Sequence, residues 1–218
     1  MKNLIFFSLV LGGVLRADAG LVFGGFDSSR GGATSLESGL LLTDFRTHIT
    51  GTFEGSSFTS SGSLTASYLS AVDVLVLGVA VDGMTAISPL TMSEQSELLV
   101  FVQGGGALLV FADNNIQFET VSDSILGPFG LDSTGAIFGS GTSTIVDASH
   151  PVASGPFGSV TSFSHSSFPG WFSSLGANAV EVGRLDQSSS PSLAAIPRGA
   201  FGGQWWGGVL QRLFADQW

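Results

Sequence analysis

Apolar positions along this chain follow two distinct rhythms. The near-continuous apolar runs Leu21 to Phe26, Val72 to Val79 and Ala107 to Ala112 predict strands buried on both faces, as in a parallel sheet covered by helices. Between them the spacing becomes helical. Thr34 with Glu37 three residues on predicts a capping box and a helix carrying Leu41, Leu42, Phe45 and Ile49 on one face, ended by Gly51. Gly51 to Gly62 reads as a polar loop with one edge strand, and Leu64 to Leu69 as a short helical turn. Thr91 with Glu94 predicts a second capping box, and Leu98, Phe101 and Val102 form the stripe of a helix that stops at Gly104. A third helix is expected from Ile116 to Leu126, with Phe118, Val121, Ile125 and Leu126 inward and Gly127-Pro128 breaking it.

Two apolar strands separated by one amphipathic helix make a βαβ unit, whose crossover is right-handed in nearly all cases. After Gly130 the pattern breaks into short pieces: Ile137-Phe138, Thr144 to Val146, Val160 to Phe163, Ala179 to Leu185 and Leu193 to Ile196. These predict strands, some completing the sheet and some forming a β-rich extension. From Arg198 to Trp218 an expected final strand gives way to the adjacent Trp205 and Trp206 and an amphipathic piece, so 198–218 reads as an atypical tail, as a truncated or frame-shifted end would. No internal repeat is visible.

Composition then narrows the setting. Met1-Lys2-Asn3 is a short basic start, Leu4 to Leu15 an apolar run of about a dozen residues, and Ala17-Asp18-Ala19 a small-x-small site: residues 1–19 read as a secretory signal peptide and Gly20 as the mature N-terminus. The run is short of the roughly 20 residues that span a bilayer, so no retained membrane segment is expected and the domain, 20–197, is read as secreted and extracytoplasmic. With Cys 0, neither a disulfide framework nor a lipid-modified cysteine exists, and stability must come from the core. Lys2 is the only lysine, so the mature chain lacks one altogether, which excludes Schiff-base chemistry and a Walker lysine. A net charge of −10 disfavours nucleic acid.

Candidate chemistry collects where the third apolar run ends, in "GGGALLVFADNN". Ligands of open parallel sheets bind outside the carboxyl ends of the strands, which makes Asp113, Asn114 and Asn115 the leading ligand-binding candidates, with His150 of the His150-Pro151 turn beside them. Asp113 could accept hydrogen bonds from a sugar, help hold calcium, or act as a base if burial raised its pKa; the plainer alternative is that Asp113 or Asn114 caps the helix starting near Asn115. His48, His150 and His165 share no metal-ligand spacing, so no metal and no cofactor is expected. Glycine-rich "FGGFDSSRGG" stands where a phosphate loop would, without its spacing, and Arg30 is the one residue there able to hold an anion. Trp171, Trp205 and Trp206 could form a platform for sugar rings or belong to the core.

Taken in order, "VDVLVLG", "LTMSEQSELLVFVQGGGALLVFAD", "LGPFGLD" and "SHPVASGPFG" resemble the class I glutamine amidotransferase-like superfamily, in the branch with the trehalose-utilisation-like proteins, over Leu21 to Ile196. The resemblance implies an α/β fold: a flavodoxin-like three-layer sandwich with a central, mainly parallel sheet, here with a β-rich C-terminal extension. It also implies that a cysteine nucleophile follows the strand Ala107 to Ala112. Here that turn reads Ala112-Asp113-Asn114-Asn115, and the late paired histidine and acid of active members are missing, so cysteine-dependent amide transfer is excluded. The expectation is a bacterial, secreted, non-catalytic binding or scaffold domain whose partner is a cell-surface glycan or another extracellular protein. The alternatives are a hydrolase or isomerase acting on a carbohydrate-type substrate through Asp113 and a histidine, and a truncated component of a larger cell-surface protein.

Overall fold

The structure, a computed structural model, describes residues 20–155, 158–165, 168–197, 199–201 and 209–212. The leader, Arg198 and the Trp205-Trp206 pair lie outside them. Strands β1 (Val22–Phe26), β2 (Ser57–Ser61), β3 (Val74–Gly78) and β4 (Ala107–Phe111) come from the polar edge strand and the three apolar runs. They pair in parallel in the order β2-β1-β3-β4.

Side chains alternate across a strand, and β3 and β4 use both faces. Leu75, Leu77, Leu108 and Val110 join one buried cluster with Leu69, Leu98, Val102, Val121, Ile125 and Leu126. Val74, Val76, Leu109 and Phe111 join another with Leu42 and Ile49. Helices therefore cover both faces of an α/β sheet. The covering elements are α2 (Thr43–Thr52) on the second face, and α3 (Ala66–Leu69), α4 (Met92–Gln103) and α5 (Glu119–Leu126) on the first. Among the described residues no helix is long and apolar enough to cross a membrane.

The Thr91–Glu94 capping box is present, with the threonine side chain on the Glu94 amide and the Glu94 carboxylate on the Thr91 amide. The box expected at Thr34 is not. A short helix α1 (Ser28–Gly31), capped by Asp27, and two 3-10 turns precede α2, which starts at Thr43 and runs through Gly51 to Thr52. Thr34 Oγ1 instead donates to the carbonyls of Gly31 (2.9 Å) and Ala80 (2.5 Å). Leu36, fully buried, is held by its amide to Phe26 O at 3.3 Å, so this segment stays pinned to the end of β1.

Beyond α5 the chain forms β5 (Asp132–Thr134), β6 (Gly141–Ile145), β7 (Ser154–Gly155), β8 (Gly158–Ser159), β9 (Ser162–His165), β10 (Trp171–Ser174), β11 (Val180–Leu185), β12 (Ser190–Ala195) and β13 (Val209–Arg212). Within the stretch read as a tail, β13 pairs in parallel with β4 and antiparallel with β12. The sheet continues β13-β12-β11-β6-β9 to nine strands, each of the last four antiparallel to its neighbour. β5 with β10, and β7 with β8, form two-stranded sheets outside it. Ile137-Phe138, expected as a strand, is loop, because two apolar residues between Gly135 and Gly139 are too few to extend a ladder.

Candidate functional site

β4 delivers Asp113, Asn114 and Asn115 to the carboxyl edge of the parallel strands. Short polar side chains there fold back on their own backbone rather than reaching out. Asp113 Oδ1 accepts from the Asn114 amide at 2.6 Å and from Asn114 Nδ2 at 2.9 Å, while Asn114 Oδ1 accepts from the Ile116 amide at 3.0 Å. The Asn115 amide donates to Gly135 O at 3.1 Å. Neither Asp113 nor Asn114 caps α5: the residue in front of that helix is Phe118, with no side-chain cap, because the Asn114 acceptor is used on a turn that precedes it. Burial pushes the Asp113 carboxyl up to about 7, against the downward pull of its two hydrogen bonds from Asn114.

Two loops lie over this turn. A β-carbon at Gly170 would stand 2.9 Å from Asn114 Cα and 3.0 Å from Gly135 O, so the approach requires glycine. Gly135 has φ +73 and sits beneath the Trp171 ring. The Ile137 amide donates to Pro169 O (3.0 Å) and the Phe168 amide to Gly139 O (3.1 Å), fastening the two loops together. At their tips Phe138 and Phe168 meet edge to face, ring centres 5.3 Å apart, with Phe138 81% exposed and Phe168 40%. Phe168 holds φ 42, a conformation that bulky residues seldom adopt. The pattern of the chain hid this pair by resembling a strand; the flanking glycines were the available signal. Trp171 is half-buried in β10 and packs against the core instead of presenting an open platform.

His150 is not part of this site. Strand directions place it: β4 and β13 run one way, β12 the other, β11 with β4, and β6 against it. The loop after β6 therefore lies at the amino-terminal edge of the parallel strands, opposite Asp113. There His150 Nδ1 accepts the Val152 amide at 3.2 Å, and burial lowers its pKa despite the nearby Asp147 carboxylate. His165 ends β9, the outermost strand, where it is 1% exposed; its Nε2 lies 2.7 Å from Ser143 Oγ, itself 2.7 Å from Ser192 Oγ. His48 lies within α2. Among the described residues no group of three or more His, Asp or Glu could hold a metal ion.

The first loop is also spoken for. β1 has β2 on one side and β3 on the other, which makes the crevice between β1 and β3 the switch point where such sheets take ligands. The chain fills it with itself: the Ala33 amide donates to Val81 O at 2.6 Å and Gly32 packs against the same residue. Arg30 is engaged by Glu94 and by the carbonyls of Gly62 (3.2 Å), Ser88 (3.1 Å) and Pro89 (3.3 Å), its guanidinium 4.1 Å from the centre of the Phe26 ring. It is an internal tie rather than an anion hook.

Comparison with protein-family models and with curated proteins gives no match. Solved structures match in fold. The mmIFT52 N-terminal domain superposes with a TM-score of 0.59 at 13% identity, over 89% of this chain and 86% of that one. A ThuA-like protein from Bacteroides uniformis gives 0.53 at 11% identity over 91% and 84% of the two chains. A protein described as a component of GMP synthase, from Thermoplasma acidophilum, gives 0.51 at 12% identity over 89% and 83%. The chain shares the amidotransferase-like fold. At these identities the likeness concerns architecture alone.

Proposed function

We propose that this chain is a secreted, extracytoplasmic domain of the glutamine amidotransferase-like superfamily, a flavodoxin-like three-layer sandwich that binds a ligand without transforming it. The observation that carries the reading is Asp113. It follows β4, the strand after which the resemblance places a cysteine nucleophile, and the chain contains no cysteine. A carboxyl held near pH 7 by burial supplies no thiolate, and the first amide of the turn, Asn114 N, donates to Asp113 itself. His150 stands at the opposite edge of the sheet and His165 on its outermost strand, which leaves the alternative, a hydrolase or isomerase pairing Asp113 with a histidine, without a proton partner beside the carboxyl.

The binding face of this proposal is the carboxyl edge, where the loops that carry Phe138 and Phe168 meet the Asp113-Asn114-Asn115 turn through Gly170 and Gly135. Exposed rings on loops fastened over a turn of hydrogen-bonding residues suit the apolar face and hydroxyls of a sugar, so the ligand class is a glycan. Two rings cover too little area for a stable protein interface, which needs about 800 Å² per partner. The test is a glycan array followed by thermal melts, run beside assays for ammonia release from glutamine and for glycan cleavage. A glycan-dependent rise in Tm lost in Phe138→Ala, with no turnover, is the expected result. Turnover that disappears in Asp113→Asn would replace the binding reading with the enzymatic one.

A further inference from the structure

Gly20 meets the fold at a place with no room for a side chain. A β-carbon there would overlap the Gly55 carbonyl and stand 2.6 Å from Ser56 N. The receiving surface is the turn between α2 and β2, in which the Ser56 amide donates to Phe53 O at 3.1 Å and Gly55 takes φ 75. Ser56 Oγ on this turn is buried and has no hydrogen-bond partner, one of two such side-chain atoms among the described residues. An unused buried hydroxyl is costly unless something fills it. Carboxylates flank the spot: Glu54 lies on the turn itself, and Asp73 Oδ2 accepts the Val22 amide at 2.9 Å, two residues from Gly20. The sequence independently puts the cleavage site Ala17-Asp18-Ala19 immediately before this residue.

We infer that Ala19–Gly20 is a processing site and that the α-ammonium released there docks on the Gly55–Ser56 turn. The inference rests on the export reading above. A signal-peptidase-class protease adds water across the Ala19–Gly20 peptide bond: the carboxylate leaves on the leader, and Gly20 gains a charged amine. That amine finds the acceptors the turn offers, Ser56 Oγ and the Gly55 carbonyl, with Glu54 and Asp73 supplying opposite charge. Glycine is required because the terminus lies directly on the backbone of the turn. The processed chain also has no other primary amine, since the only lysine is Lys2.

That singular amine makes the test direct. The full-length gene is expressed in a bacterial host that exports it, the mature protein is sequenced from its N-terminus, and its amine is labelled with an acetylating N-hydroxysuccinimide ester in the native state and in urea. The expected result is a terminus at Gly20 that labels several-fold more slowly in the native protein than in urea, with Ser56→Ala and Gly20→Ala each narrowing the gap. A chain that keeps its leader from Met1 overturns the export reading, and a leader removed at another bond overturns the Gly20 processing site alone. A terminus at Gly20 that labels equally fast in both states overturns the docking alone and leaves export standing.

Discussion

Arg30 and Glu94, separated by 64 positions in the chain, form an ion pair whose side chains are only 11% and 9% exposed. The same carboxylate accepts the amides of Leu64 (3.2 Å) and Thr91 (2.9 Å). The pair thus binds the loops after β1 and β2 to the start of α4. Burial alone would raise the Glu94 pKa; the hydrogen bonds from Arg30, Thr91 and Leu64 outweigh it and lower the value below the ordinary 4.5.

Removing one partner leaves the other charged and unpaired. Glu94→Ala is expected to cost about 3–5 kcal/mol in urea unfolding, and Arg30→Met with Glu94→Leu together much less. Because the folded pKa is depressed, the stability contributed by Glu94 is complete above about 4.5 and disappears as pH falls through the lower folded value. A double variant no more stable than Glu94→Ala would contradict this account.

Asp113 has the opposite sign. Its folded pKa of about 7 lies above the ordinary 3.8, so the folded state holds the proton more tightly and stability declines as pH rises between these values. Asp113→Asn keeps an acceptor for Asn114 and never ionises. It is expected to exceed wild type by roughly 1–3 kcal/mol at pH 8 and to match it near pH 4. Urea unfolding at the two pH values checks both halves.

His150 contributes at the other edge. Its Nδ1 accepts the Val152 amide, which requires an unprotonated nitrogen, and its pKa is lowered from 6.5 by burial. Stability from the neutral ring is present above about 6.5 and is lost as pH falls from there through the folded value. His150→Gln should flatten that part of the pH profile; NMR titration of the ring should report a value below 6.5.

Core and surface positions of equal apolarity should part company. Leu109, 6% exposed in β4, is expected to cost about 2–5 kcal/mol on replacement by alanine. Met92, 81% exposed at the start of α4, should stay within about 0.5 kcal/mol. Thr91→Ala, which removes the capping box, should fall between them at about 1 kcal/mol. Thermal melts of the three variants give the ranking.

The half of the fold carried by local signals was legible. Val74 to Gly78 and Ala107 to Phe111 announced themselves as strands buried on both faces, and Thr91 with Glu94 marked a helix start to the residue. Thr34 with Glu37 wrote the same motif, but a hydrogen bond to Ala80, 46 positions away, decided the outcome. Long-range pairings were equally hidden at the site. Asp113, Asn114 and Asn115 could be placed at a strand end from sequence, whereas the separation of His150 from Asp113 depends on the directions of β11, β12 and β13, which no local pattern encodes. Arg30 looked free for an anion because nothing nearby in the chain reveals Glu94.

β13 is the last described strand in the chain and the fifth in the sheet. Until residues 209–212 are available, β4 has an open edge and β12 lacks the neighbour that joins the antiparallel strands to the parallel ones. The two halves therefore stay apart until β13 inserts between them, and the Val209–Leu108 pairing, between positions far apart in the chain, carries a large loop-closure cost that makes it a late step of folding. A chain that stops between β12 and residue 209 keeps both halves but leaves the facing edges of β4 and β12 unjoined, open to pairing with other chains.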